Sequence, residues 1–240
     1  MKIRKSSVVI LVLLCIFGLV FRRGVYRVVA AGVQMMEGKK TVGQRVDEYG
    51  DVVRQRLLDD FAKTGVSYPP RGMVLIGLKQ EKLLEVWVSG DRVTYHLLKT
   101  YPILKMSGKS GPKLIEGDKQ VPEGLYGIDS LNPNSSFHLS LRLNYPNDFD
   151  RQMARQDGRM DLGGDIMIHG AQVSIGCLAM GDTAAEELFV MAALTQPEHI
   201  RVILCPVDFR VCDFEGDLSP MPAWIGQLYE QIKDELVRFQ

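Results

Sequence analysis

The sequence predicts a mainly β, α+β body flanked by an N-terminal and a C-terminal helix. Three observations predict it. Short β-rich runs follow one another from residue 73 to residue 101, separated by turn residues. Helical periodicity is confined to a few stretches, two of them towards the ends of the chain. The 240 residues include 23 Gly and 11 Pro, which point to a turn-rich body rather than a helical bundle. With 46% hydrophobic and 24% charged residues, the chain has the composition of a folded protein of one domain, at most two.

The elements follow in order. Lys2, Arg4 and Lys5 precede a uniformly apolar run, Val8 to Phe21, broken only by Gly18, and Arg22 and Arg23 follow it. A basic start and an apolar run fit both a secretory signal and an uncleaved anchor. The run is shorter than the roughly 20 residues of a usual spanning helix. Val29-Ala30-Ala31 offers small residues for cleavage, but three arginines separate it from the run. Both readings carry the body out of the cytoplasm, to the periplasm or cell envelope, secreted or anchored in the inner membrane through residues 8–21. The expected division is a signal or anchor segment over 1–30, a helical linker over 31–72, the main domain over 73–215, and a C-terminal helix packed on it over 216–240.

Within 31–72, Val46, Tyr49, Val53, Leu57 and Phe61 recur at three- and four-residue steps and predict an amphipathic helix, broken by Tyr68-Pro69-Pro70-Arg71-Gly72. Residues 73–78, 82–88 and 93–101 read as strands of a meander. Ser107 to Gly124 is rich in Gly, Pro, Lys and Asp, too long for a tight turn, and a loop of that size either carries function or moves. Ser136 to Leu143 alternates apolar and polar residues, and Asp165 to His169 reads as a short buried strand. Asp182 is placed to cap a helix over 183–194, residues 200–204 read as a strand, and Ser219-Pro220 reads as the start of a last helix carrying Trp224, Leu228, Ile232 and Leu236.

Charge excludes one class of function. Lys+Arg and Asp+Glu both number 29, but residues 1–27 hold six of the basic residues and no acid, so the remainder carries 23 basic against 29 acidic residues. A mildly acidic body without a basic run is a poor partner for a phosphate backbone, and no nucleic acid is expected. Four cysteines are too few for a disulfide scaffold and make no CxxC pair, so no metal and no cofactor are expected. Cys205 and Cys212, seven residues apart, are compatible with a disulfide in an oxidising compartment.

The most informative segment is Ile168 to Met180 (IHGAQVSIGCLAM), where a strand meets a helix. It sets His169 and Cys177 eight apart, each beside a glycine. A thiol gains nucleophilicity when an imidazole takes its proton, and a glycine lets backbone N–H groups turn toward the space above the sulfur. Taken singly, a buried inert cysteine and a structural histidine are the ordinary readings; a nucleophile and a base within one short window have to be weighed together.

That run resembles the L,D-transpeptidase catalytic domain (YkuD) family, and within it the YafK-like branch, whose signature is a His-Gly or His-Ser strand end followed by Ser/Thr-x-Gly-Cys. The resemblance extends over roughly residues 82–206. It is supported by Lys105-Met106-Ser107-Gly108, by Gly111-Pro112-Lys113, by Val121-Pro122-Glu123-Gly124-Leu125-Tyr126 with Val121 where the family has Thr, by Asn144-Tyr145-Pro146-Asn147 and by Cys205-Pro206. It implies an L,D-transpeptidase-like β-sandwich. It further implies Cys177 as nucleophile, His169 as general base and acid, the carbonyl of Gly170 as the group orienting the imidazole, the N–H groups of Gly176 and Cys177 as the oxyanion hole, and Ser174, Tyr145 and Asn144 near substrate. Ile175 stands where the family at large has a second His, and Ala179 where it has Arg. The implied chemistry is acyl transfer on peptidoglycan stem peptides through a thioester at Cys177, resolved by an amine. Hydrolysis of peptidoglycan, or of a link between peptidoglycan and an envelope lipoprotein, uses the same pair, and a silent peptidoglycan-binding module is the competing class. Lys105, Lys109, Lys113 and Lys119 then either meet stem carboxylates or stay solvated.

Overall fold

A computed structural model describes residues 38–240 apart from Val173 and Ile175; the apolar segment 8–21 lies outside the described residues. Among the described residues no helix is long and apolar enough to cross a membrane.

Helix α1 (Val42–Thr64) starts where Thr41 accepts from the Gln44 N–H and the Gln44 side chain accepts in return from the Thr41 N–H, and it ends at Gly65 in the left-handed region. Its Val53, Leu57 and Phe61 are buried in the main core, so the segment read as a linker supplies one wall of the domain. The meander follows as β1 (Gly72–Leu78), β2 (Leu83–Ser89) and β3 (His96–Pro102), paired antiparallel. Strands β4 (Gly124–Ser135) and β5 (His138–Leu143) form the next hairpin. Helix α2 (Asp148–Asp157) had no counterpart in the sequence reading. Its signal is the reciprocal cap between Asn147 and Asp150, spread over residues with little apolar periodicity.

Two very short strands carry the candidate chemistry, β6 (Met167–His169) and β7 (Leu178–Ala179). Helix α3 (Asp182–Thr195) follows, then β8 (Ile200–Cys205) and α4 (Ile225–Leu236). The Ser219-Pro220 pair lies in the turn ahead of α4, which starts at Ile225 after Trp224; the Ser219 hydroxyl bonds Asp217 and caps no helix.

The eight strands run β3-β2-β1-β8-β4-β5-β6-β7 in one hydrogen-bonded series. The long β4 belongs to both halves: Gly124–Gly127 pair with β8, and residues from Ile128 onward pair with β5. Helices α1 and α3 fill the core shared by the two halves, with Leu75, Val86 and Leu204 from one half and Leu141, Ile168 and Leu178 from the other around Leu188 and Phe189. The outer face of the first half, Val74, Ile76 and Ile203, is covered by Leu228, Ile232 and Leu236 of α4 and by Phe239. Mainly β with attendant helices is therefore the architecture as well as the expectation.

The loop 107–123 is held by buried charge. Lys79, 4% exposed, donates from Nζ to Glu123 Oε1 at 2.8 Å and to the carbonyls of Gly111 and Val121 at 3.0 Å. Glu123 also accepts from the Gly111 N–H and the Tyr229 hydroxyl. Lys113, itself buried, donates to Asp118 and to the Ile115 carbonyl. A polar, glycine-rich loop is thus fixed against the sheet by satisfied buried charges together with Val121, which is fully buried in the main core.

Candidate active site

The β6–β7 pair sets the geometry. Ile168 pairs with Leu178 and His169 with Ala179 in a parallel ladder, and on the other side Ser140 of β5 pairs with His169. Strand residues alternate faces. Ile168 and Leu178 enter the core, so His169 and the residue just before β7, Cys177, share the opposite face.

His169 is 2% exposed, with the Phe137 ring 4.9 Å from its own, centroid to centroid. Its Nδ1 lies 2.6 Å from the Gly170 carbonyl oxygen. A carbonyl only accepts, so Nδ1 carries a proton, and in the neutral ring that burial favours, Nε2 keeps its lone pair. Gly170 is itself enclosed: a Cβ there would lie 2.7 Å from both the Phe137 carbonyl oxygen and Asp182 Oδ1. Asp182, expected as the cap of α3, instead accepts the Ala171 N–H at 2.7 Å, while Gly181 occupies the cap position and its N–H donates to the Ala171 carbonyl. Ala171 has φ of 58°, a left-handed residue held by these two bonds. The carboxylate pins the turn after His169.

Cys177 is half-buried, and its Sγ lies 3.5 Å from the Asp165 carbonyl oxygen. Ser174 holds the turn, accepting the Cys177 N–H at 3.1 Å and donating to the Cys177 carbonyl. The Gly176 N–H donates to the Ser107 hydroxyl at 2.7 Å, and that hydroxyl donates to the Lys119 carbonyl. Both amides expected as an oxyanion hole are therefore capped by serine hydroxyls in the resting chain. Burial pushes the Cys177 thiol up, the nearby Asp165 carboxylate adding to it and the Met167 N–H and Lys113 opposing it. Burial pushes His169 down, against the Gly170 carbonyl. Both shifts favour the neutral forms, thiol and imidazole.

The other expected residues lie elsewhere. Tyr145 is buried at 4% exposure, its hydroxyl donating to the Leu162 carbonyl at 3.1 Å, so it packs the fold. Asn144 accepts the Gly127 N–H through Oδ1 and joins β4 to the end of β5. His138, the first residue of β5, is no part of the His169 and Cys177 pair: it bonds Glu186 and abuts Tyr49 edge-on. Cys205 is buried and Cys212 exposed, both free thiols. Among the described residues no three His, Cys, Asp or Glu side chains cluster to hold a metal. The groove of about 990 Å³ between the loop and residues 207–222 is lined by neither Cys177 nor His169.

Sequence reasoning missed three contributors: Ser107, quoted in a motif without a role; Asp165, whose carbonyl meets the sulfur; and Phe137, which covers the imidazole. All three act through folding across strands, which no local spacing reports.

The profile of the YkuD family, described as the L,D-transpeptidase catalytic domain, matches residues 71–203. The chain belongs to this family. It is 37% identical over 142 residues to "Putative L,D-transpeptidase YafK" of Escherichia coli (strain K12) and equally to its counterpart in strain O157:H7, covering 56% of this chain and 53% of theirs. The chain thus spans about half the length of the curated relatives it matches. Among solved structures, the helical cell shape determining protein Pgp2 from Campylobacter jejuni is 23% identical, with a TM-score of 0.46 over 57% of this chain and 48% of that one. Bd1075 of Bdellovibrio bacteriovorus is 18% identical, with a TM-score of 0.42 over 71% and 55%. The span matched by the family profile contains His169-Gly170 and the turn from Ser174 to Cys177.

Proposed function

We propose that the chain is a cysteine acyltransferase acting on peptidoglycan stem peptides outside the cytoplasm, delivered there by the N-terminal apolar segment. The observation that carries this reading is the 2.6 Å bond from His169 Nδ1 to the Gly170 carbonyl, which fixes the neutral ring in the tautomer with Nε2 as the proton acceptor, on the face shared with Cys177.

In the reaction, Cys177 Sγ leaves the Asp165 carbonyl and gives its proton to His169 Nε2 as the sulfur attacks the diaminopimelate carbonyl carbon. The oxyanion takes the place of the serine oxygens on the N–H groups of Gly176 and Cys177. Collapse breaks the C–N bond, His169 returns the proton to the departing amine, and a thioester remains. An incoming amine attacks the thioester, losing its proton to His169, and the thiolate leaves and recovers that proton. Water in place of the amine gives hydrolysis, including release of a peptidoglycan-linked lipoprotein. Burial favours the neutral form of both groups, so a proton transfer that accompanies attack avoids forming a buried ion pair beforehand.

Incubating the full-length chain with tetrapeptide muropeptides and an amine acceptor, with Cys177→Ala as control, tests this by mass spectrometry. A cross-linked dimer or trimmed tripeptide that depends on Cys177 is expected, and the product distinguishes amine from water. Unchanged muropeptides with no covalent adduct at Cys177 leave only a binding module.

A further inference from the structure

Arg142 on β5 pairs with Met167 of β6. Extending the β6–β7 register one residue back from Ile168 and Leu178 sets Met167 beside Cys177. Arg142, Met167 and Cys177 therefore form one row across three strands, on the face that carries His169. With strands about 4.8 Å apart, the backbones of Arg142 and Cys177 are roughly 10 Å apart, a span that an arginine side chain and a small ligand together bridge.

One residue touches both. The Asp165 carbonyl meets Cys177 Sγ at 3.5 Å, and the Asp165 carboxylate meets Arg142 Nη2 at 3.1 Å. The second partner of Arg142 is Asp129, at 3.7 Å. The Asp165 and Asp129 side chains are 77% and 52% exposed, and exposed pairs of this kind are weak. Arg142 therefore presents, on the nucleophile's face and two strands from it, a guanidinium paired with exposed carboxylates that a ligand carboxylate can replace, with a fork suited to bidentate contact.

We propose that Arg142 is a specificity-determining residue that binds a carboxylate of the acyl donor flanking the carbonyl attacked by Cys177, so that free-acid donors are preferred to amidated ones. This rests on the acyl-transfer reading above. The carboxylate is that of the terminal D-amino acid or that on the side chain of diaminopimelate, and separate amides of each distinguish them.

The test compares wild type with Arg142→Gln and Arg142→Lys, full-length, on the free-acid tetrapeptide and on its two monoamides. Wild type is expected to favour the free acid over one of the amides by about 10- to 100-fold in kcat/KM, the worth of a charge-assisted hydrogen bond. Arg142→Gln should bring that ratio near one through KM, and Arg142→Lys should restore part of it. The same ratio in wild type and Arg142→Gln overturns the proposal. Calorimetric binding to Cys177→Ala, with and without Arg142→Gln, repeats the comparison without turnover. A wild type that consumes none of the peptides refutes acyl transfer. Carboxylate recognition then stands if the Cys177→Ala chain binds the free acid more tightly than the amide through Arg142, and falls if it does not.

Discussion

Adding one methyl group at Gly170 should disable both the local packing and the imidazole. In Gly170→Ala the new Cβ meets the Phe137 carbonyl oxygen at 2.7 Å, Asp182 Oδ1 at 2.7 Å and His138 Cβ at 3.0 Å. The Phe137 oxygen is backbone at the β4–β5 hairpin and has little freedom to withdraw. Asp182 can swing away only by giving up the Ala171 N–H, a charged hydrogen bond worth about 1.5–3 kcal/mol. Overpacking of a tight site costs about 1–3 kcal/mol. Together they set an expected loss of about 2.5–6 kcal/mol, read as a lower urea midpoint at unchanged slope. The Gly170 carbonyl must also move from His169 Nδ1, so turnover of a tetrapeptide should fall by about 10²-fold or more, the scale of a lost general base. Turnover is measured at urea-free conditions on chain shown to be folded by circular dichroism. Wild-type stability and turnover in Gly170→Ala would refute the reasoning that this glycine sets the base.

Other outcomes follow from the same geometry. Lys79→Met leaves Glu123 buried without its cation and should cost about 3–5 kcal/mol, with new protease sensitivity across residues 107–123; a loss under about 1 kcal/mol counts against the buried pair as the anchor of that loop. The Cys177 thiol, pushed up by burial, should alkylate with an inflection above the ordinary thiol value of about 8.5, and a plateau below pH 7 speaks for a thiolate instead. His169 is pushed down by burial, so as pH falls below about 6.5 the unfolded chain takes a proton that the folded chain refuses and stability drops. In His169→Gln that part of the pH dependence should vanish from urea melts at pH 5 and 7. Asp150 is pushed up to about 6, chiefly by burial; the folded chain keeps a proton that the unfolded chain releases near 3.8, so stability falls as pH rises from about 4 to about 6. Asp150→Asn should flatten melts across that window, and an unchanged slope excludes Asp150 as its source.

The fold was legible where one residue type carries one physical meaning. Val53, Leu57 and Phe61 mark a buried helix face, and the meander shows itself by strand-forming runs between Gln80-Glu81 and Ser89-Gly90-Asp91. The reading fell short where a residue has two uses. Asp182 has the chemistry of a helix cap, but the free N–H of left-handed Ala171 lies within its reach and takes its oxygen. Ser219-Pro220 has the chemistry of a helix start, but Asp217 takes the hydroxyl. Tyr145 was expected near substrate from the family resemblance alone, and the structure encloses it between β4 and the segment around Leu162. His169-Gly170 and Ser174-x-Gly176-Cys177 were legible because glycine and a strand end constrain the backbone locally. Ser107 and Arg142 were not, since their positions depend on the order of strands in the sheet.

The resting chain leaves little of this site idle, and that bears on selectivity. The sulfur lies against a carbonyl, both amides of the Gly176-Cys177 turn are given to serine hydroxyls, and the imidazole donates to Gly170. Each of these bonds satisfies a group that burial would otherwise leave costly. A small electrophile replaces none of them and meets a protonated thiol. A substrate that offers a carbonyl oxygen to the amides and a carboxylate to Arg142 replaces serine and aspartate partners by its own groups, so its binding energy is spent on exposing the reactive arrangement. Reactivity should therefore rise with substrate length and charge more steeply than affinity does, because the same contacts that hold the peptide also release the sulfur and the amide donors for attack.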